Sequence, residues 1–498
     1  MNAIYLCVIA KPWIESIKKL ESRHGLTPAH LVVWRDEKTK FEQTSFEGAH
    51  IQTLEEAWKG LGFPAGLKQR ALDEGELNAI AGYELTALRM MDRLDPDGES
   101  FSFHARQSFF RDLVGYWLAL IEKKEIQVVI SPSIPHRVFD YALYAAAKLS
   151  SVRFVMFQMI SFGSRSILID DIDRMPNLEL PFDEKSLSPD FVTRIEKVTQ
   201  DYKTAIPKYE LINKAKENQK PNKFLRFVKK VPVAYKLFTT KPNTYWVQKK
   251  QTPQSTDYGW LSFYLMKLKR KRFIKTLQRI YTQNLSTIDL DKNKFILVAL
   301  HYQPEETSCP TGGVYADQVL LIHLLNDCLP ADVRIIVKEH RTQFYSSNES
   351  ASGRTLDFYE RIKTVSNRVQ FVSVNYDPFE LIDRALATVT ISGTIGWESA
   401  IRGTPALVFG RAWYENMPRV FKVKTKSDLQ EVLRRLDELK NKDLNQEIFD
   451  FHKLIETNSI LATHYKAYRI YDDVSNSDSV NNLVNGLASY LKLESTEK

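Results

Sequence analysis

A chain of 498 residues exceeds the usual size of a single hydrophobic core, so two domains with connecting elements are expected. With 43% apolar and 26% charged residues, the composition is ordinary for a soluble globular protein and excludes disorder as the main state. The net charge of +8 is unevenly spread: residues 208–275 hold 18 lysines and arginines against three acidic residues, which leaves the rest of the chain net negative.

The opening MNAIYLCVIAKPW has a short apolar run with no basic segment before it, and it reads as a first strand rather than a signal peptide. Cys7, Cys309 and Cys328 form no Cys-x-x-Cys pair and have no histidine at zinc spacing. A reducing, cytoplasmic setting follows. Residues 1–180 read as an α/β domain with strands in AIYLCVIA, HLVVWR, IQVVISPS and RFVMFQMI, separated by helical patterns such as 76–94 and 105–124. Residues 181–290 change character: proline, lysine and asparagine rise, and an amphipathic run, YGWLSFYLMKLKRKRFIKTLQRIYTQ, follows. This is an interdomain connection with an inserted basic arm. Over 291–450 the runs KFILVALH, VRIIVKEH, VQFVSV, ATVTIS and PALVFG alternate with helical segments, which predicts a parallel sheet covered on both faces. Residues 451–498 look helical and polar. No window approaches the roughly 18 to 20 apolar residues that span a bilayer.

Ligands of open parallel sheets bind beyond the carboxyl ends of the strands. In the second domain those ends carry HYQPEE with His301 and Gln303, KEH with Lys338 and His340, and Ser392-Gly393-Thr394. A helix opening at Ser-Gly-Thr presents unpaired N–H groups suited to phosphate, and Gly393 would admit an anion close to the backbone. Lys338 and His340 would neutralise that anion or donate to it. Glu398, one helical turn past Thr394, is placed to accept from sugar hydroxyls. The plainer alternatives are a helix cap at Ser392 or Thr394, a solvated Glu398 and a loop histidine at 301. Phosphate-loop, dinucleotide and His-Glu-x-x-His motifs are absent. The Asp-x-Asp pairs 95/97, 171/173 and 289/291 could suggest a metal-dependent sugar-nucleotide site, but two of them sit in turn or linker sequence, and no metal is expected.

LHYQPEETSCPTGGVYADQ (300–318), LPADVRIIVKEHRTQF (329–344) and TISGTIGWESAIRGTPALVFGRAWY (390–414) resemble the bacterial capsule polysaccharide biosynthesis family, which includes β-Kdo transferases. IPHRVFDYALYAAAKLSSVRFVMF (134–157) resembles its N-terminal half. The resemblance implies a GT-B fold, two Rossmann-like domains facing a central cleft, with the nucleotide-sugar donor in the C-terminal domain and the acceptor in the N-terminal one. His340 matches the histidine of the family's His-Pro motif near the donor phosphate, Ser392 to Thr394 its small hydroxyl pair, and Glu398 its ribose acid. Arg341 stands where many relatives have proline. A CMP-activated acidic sugar such as Kdo is the leading donor. It is a substrate, and no cofactor is expected.

An inverting transfer needs a base for the acceptor hydroxyl. Candidates are Glu84, His136 and Asp140 in the first domain, with Glu305 and Glu306 as alternatives. Asp140 facing solvent and Glu84 paired with an arginine are the plainer readings. For the basic segment 208–275 the leading partner is an anionic membrane surface presenting a lipid-linked acceptor, which makes the protein peripheral on the inner face. An acidic glycan or no partner are the alternatives, and no nucleic-acid module is present. Competing functions are a polyol-phosphate transferase or sugar-nucleotide epimerase on the same fold, and a non-catalytic glycan- or lipid-carrier-binding subunit.

Overall fold

The computed structural model describes residues 1–44, 46–94, 101–161, 163–175, 178, 193, 260–345, 353–470 and 473–494. Its strands are β1 Asn2–Val8, β2 Thr27–Val33, β3 His50–Thr53, β4 Ile126–Ser131, β5 Arg153–Met159, β6 Arg165–Ile169, β7 Phe295–Ala299, β8 Arg334–Lys338, β9 Val369–Phe371, β10 Ala387–Thr390, β11 Ala406–Val408, β12 Val420–Lys422 and β13 Ser459–Leu461. They form two sheets, each in its own α/β unit.

Unit 1 takes in residues 1–176 and 459–498. Its sheet has the order β13-β6-β5-β4-β1-β2-β3. β3, β2, β1, β4 and β5 run parallel, and β6 and β13 close the edge antiparallel. β1 and β2 are buried along nearly their whole length, which is why their sequence is almost continuously apolar rather than alternating. Trp13, Ile17 and Leu20 of helix Ala10–His24 pack on this sheet together with Val480, Leu483, Val484 and Leu487 of helix Asn476–Leu491. The last four recur at helical spacing, one apolar stripe on an otherwise polar helix. Within the tail expected over 451–498, helix Asn445–Thr457 ends in unit 2, while β13 and Asn476–Leu491 complete unit 1.

Unit 2 includes residues 264–458. Its six strands are all parallel in the order β12-β11-β10-β7-β8-β9. Numbered along the chain from β7, that is 6-5-4-1-2-3, the doubly wound dinucleotide-fold order. Ile296, Val298, Ile335, Val337, Val389 and Leu407 form the core with Leu321, Ile322 and Leu325 of helix Gln318–Cys328. Strand order reverses between β7 and β10, and a ligand crevice belongs at their carboxyl ends. The α/β class and the two Rossmann-like units expected from the sequence are both present.

Of the basic segment 208–275, residues 208–259 lie outside the described residues. Helix Trp260–Gln283 follows. It buries Met266, Ile274, Leu277 and Tyr281 and exposes Leu265 and Leu268. Among the described residues no helix is long and apolar enough to cross a membrane. Asp171 and Asp289 each accept an N–H from two residues on, at 2.8 and 3.1 Å, so these Asp-x-Asp pairs are turns. Asp95 and Asp97 lie outside the described residues.

Candidate functional site

At the switch point β7 runs out into Leu300 and His301, and β10 leads through Ile391 to Ser392, Gly393 and helix Thr394–Ile401. The His301 ring joins the two strand ends. Its Nε2 accepts the Ser392 N–H at 3.1 Å and lies 3.0 Å from Thr390 Oγ1. A backbone N–H can only donate, so Nε2 is a lone pair and the ring proton sits on Nδ1. Nδ1 has no hydrogen-bond partner among the described residues. Burial, helped by the neighbouring titratable His340 and by Arg354, pushes the ring down to about 3, so at neutral pH it is an uncharged N–H donor.

His340, two residues past β8, has the opposite tautomer. Nδ1 accepts the Thr342 N–H at 3.3 Å and lies 2.8 Å from Thr342 Oγ1, which puts the proton on Nε2. Burial and the neighbouring Lys338, Arg354 and Arg341 push it down to about 4. Of the two roles expected of His340, neutralising an anion or donating to it, donation is left, because surrounded by fixed cations the ring is uncharged at neutral pH. Lys338 donates to Val374 O at 2.9 Å, and burial brings it down to about 8.

The Ser392 hydroxyl donates to Thr307 O at 2.6 Å. Its proton is therefore committed to the loop after β7, and the expected donation to a ligand is not available from it. Gly393 has φ −70°, which any residue adopts. A Cβ there would stand 3.0 Å from Thr390 Oγ1 and 3.3 Å from the His301 ring. The space a side chain would need at this position is already tight against Thr390 and the His301 ring, which favours glycine there. Thr394 is exposed and its hydroxyl reaches Glu398 Oε1 at 3.4 Å, so the two expected ligand contacts touch each other. The main-chain N–H groups of Thr394 and Ile395 open the helix without intrahelical partners. Tyr414 Oη donates to Gly393 O, and a Cβ on Gly396 would stand 2.6 Å from Tyr414 Oη.

Three other expected residues shape the loop. Gln303 donates to Ala316 O at 2.7 Å and, through its main chain, to Gln343 Oε1 at 3.0 Å. Glu305 accepts the Thr307 hydroxyl at 3.0 Å, while the Glu306 carbonyl accepts the Thr311 hydroxyl at 3.0 Å. Sequence reasoning missed the pair beneath them, Glu339 and Arg354, whose side chains are 0% exposed and lie 3.2 Å apart. Glu339 stands inside the KEH motif, but Arg354 follows a stretch with no periodic pattern, and only the fold brings it back to the strand ends.

In unit 1, His136 follows β4 and is half-buried. Its Nδ1 pairs with Ile134 O at 2.7 Å; a carbonyl only accepts, so Nδ1 carries the proton and Nε2 is the basic nitrogen. Asp140 neither faces solvent nor keeps an oxygen unengaged. It accepts the Arg137 N–H at 2.7 Å and Arg137 Nη1 at 3.3 Å, closing the first turn of helix Val138–Leu149, and burial raises it to about 6. Glu84 is held by Arg111 Nε at 2.6 Å and Gln107 Nε2 at 2.6 Å. Both oxygens of Glu84 are thus engaged, and the pairing with an arginine that was the plainer reading braces two helices.

Among the described residues no group of three His, Cys, Asp or Glu is placed to hold a metal ion. Residues 258–431 match the family described as capsule polysaccharide biosynthesis protein. No curated protein sequence matches the chain. Similar solved structures include the Neisseria meningitidis UDP-GlcNAc 2-epimerase bound to UDP-GlcNAc, at 13% identity over 92% of this chain and 99% of that one, with a TM-score of 0.24. The Thermosulfurimonas dismutans KpsC β-Kdo 2,7 transferase aligns at 11% identity over 74% and 87%, with a TM-score of 0.27. The β-Kdo 2,4 transferase of the same protein aligns at 9% over 72% and 87%, with a TM-score of 0.28. At these TM-scores the superpositions decide nothing, and the fold rests on the strand orders given above.

Proposed function

We propose, from the match of residues 258–431 to the family described as capsule polysaccharide biosynthesis protein, that the chain is a glycosyltransferase that takes a nucleotide-activated sugar at the carboxyl edge of the unit 2 sheet. The observation that carries this reading is the pair of uncharged histidines at adjoining strand ends, His301 with its proton on Nδ1 and His340 with its proton on Nε2. With the N–H groups of Thr394 and Ile395 they supply donors for a phosphate. When the bond from the anomeric carbon to the phosphate oxygen breaks, its electron pair stays on that oxygen, and donors already in place stabilise the charge. One phosphate suits so small a set of donors, and the proposed donor is an acidic sugar such as Kdo on CMP. Glu398 is proposed to accept from the ribose. His136, with Nε2 basic, is proposed to take the proton of the acceptor hydroxyl.

A panel of CMP, UDP and GDP sugars tests the reading by thermal shift, with mass spectrometry of the product to tell sugar transfer from epimerisation or polyol-phosphate transfer. A ligand at 100 times its Kd stabilises by about 2.7 kcal/mol. The expected result is a Tm rise of several degrees with CMP and its sugar, and no rise with any nucleotide would sink the proposal.

The acceptor is proposed to be lipid-linked and met at an anionic membrane surface. Helix Trp260–Gln283 supports this with exposed Lys271, Arg272 and Lys275 beside exposed Leu265 and Leu268, and it contains no acidic residue. Co-sedimentation with phosphatidylglycerol vesicles is expected, with loss when Lys271, Arg272 and Lys275 are changed to glutamate. Equal pelleting of the two proteins would refute it.

A further inference from the structure

Arg354 touches more of the site than any residue singled out from the sequence. Its Nε and Nη2 meet the two oxygens of Glu339 at 3.2 and 3.3 Å, Nη2 also donates to His301 O at 2.7 Å, and Nη1 donates to Gln303 Oε1 and to Gly353 O. The guanidinium lies 4.2 Å from the centroid of the Phe358 ring. Glu339 in turn accepts the His340 N–H and the Tyr359 hydroxyl, each at 2.7 Å. One buried ion pair therefore holds the main chain of both histidines, His301 by its carbonyl and His340 by its N–H.

We propose that Arg354 is the positioning residue of the site: with Glu339 it forms a clasp on the main chain of His301 and His340 that fixes both rings as oppositely oriented N–H donors. The phosphate as recipient of those donors rests on the function proposed above; the clasp itself does not. A planar fork does this where an ammonium would not, because two acceptors on one strand end and a carboxylate on the next lie in directions that only a guanidinium serves together. The groups that act on the two rings are Arg354 and the neighbouring titratable His340 for His301, and Lys338, Arg341 and Arg354 for His340, with Glu339 paired to Arg354. They favour the uncharged rings that the clasp orients.

Two variants test the proposal. Arg354→Lys keeps the charge without the fork. The double variant Arg354→Met with Glu339→Gln removes both charges together, which a fold tolerates better than one orphaned buried ion. The ring nitrogens of His301 and His340 are read by two-bond proton–nitrogen spectra of the ligand-free protein, and affinity for CMP is read by calorimetry. In the parent protein one ring is expected to show a protonated Nδ1 and the other a protonated Nε2. In each variant that retains a cooperative melt, averaged ring shifts and at least a 10-fold loss of CMP affinity are expected. Ring shifts unchanged from the parent in a folded variant overturn the proposal whatever the affinity, and so does unchanged CMP affinity. If the parent protein binds none of the nucleotides, the nucleotide reading falls, and the ring shifts alone then uphold or overturn the clasp.

Discussion

His301→Ala is expected to lower kcat/KM for sugar transfer by about 10²- to 10³-fold, the loss that follows removal of one preorganised donor at a developing oxyanion. Two effects combine at this position. The Nδ1–H donor goes, and the Ser392 N–H, which donates to Nε2 at 3.1 Å, is left without its acceptor, so the turn that opens helix Thr394–Ile401 loosens. His340 offers a finer contrast because its proton lies on the far nitrogen. A glutamine amide reaches the Nε2 position and an asparagine amide does not. His340→Gln should therefore retain about tenfold more activity than His340→Asn, with the difference in kcat more than in nucleotide Kd. Steady-state kinetics on the two proteins and on His301→Ala decide the matter, and full kcat/KM in His301→Ala would remove this ring from the mechanism.

Mild acid should open unit 2 before unit 1. His301 is pushed down to about 3, and His340 and His452 to about 4, all below the ordinary histidine value, chiefly by burial. A histidine depressed in the folded state contributes stability that is fully present above its unfolded pKa of about 6.5 and is lost as pH falls towards the folded value, because the unfolded chain binds the proton first. At pH 5 the loss is about 2 kcal/mol each for His301 and His452, and less for the partly solvated His340. Against a total of about 5 to 15 kcal/mol for a domain, that is a large fraction. The structural consequence is specific: His452 Nε2 accepts Trp397 Nε1 at 3.0 Å, and its protonation breaks the tie between helix Thr394–Ile401 and helix Asn445–Thr457. In unit 1 the buried His30 and Asp140 act in opposite directions. His30, pushed down to about 3 by burial, loses stability in acid as the others do. Asp140, raised by burial to about 6, contributes stability that is present below its unfolded pKa and lost as pH rises through 6, so acid favours it. Peptide-resolved hydrogen exchange at pH 7.5 and 5.0, corrected for intrinsic rates, should show protection lost over β7 to β11 and largely kept over β4 and β5. Equal retention in both units would contradict this assignment.

The histidines also mark how far the sequence could be read. KFILVALH, VRIIVKEH and ATVTIS are apolar because strands buried on both faces admit little else, so the strands β7, β8 and β10 and the polar residues at their ends were legible from composition and length alone. β3, β6, β12 and β13 were not anticipated. They are three to five residues long and sit towards the sheet edges, where a short run carries too little pattern to separate from a loop. A sequence shows a carboxylate without its partner: it offers Glu84 as a candidate base or as the partner of an arginine, and that arginine is Arg111, 27 positions away, brought in by packing of helix Phe103–Lys123 against helix Glu74–Met90.

Sequence alone determined the α/β class, the parallel strands and the positions along the chain where polar residues leave them, because these follow from local periodicity and from which residues tolerate burial. Tertiary structure decided what those polar residues do. Which nitrogen of His301 or His340 holds its proton and where the charge of Glu339 is answered are set by Ser392, Thr342 and Arg354, and the space beside Gly393 is taken by Thr390 and the His301 ring. Hydrogen bonding is directional and short-ranged, and in the case of His301 and Ser392 it joins residues 91 positions apart that no periodic pattern links.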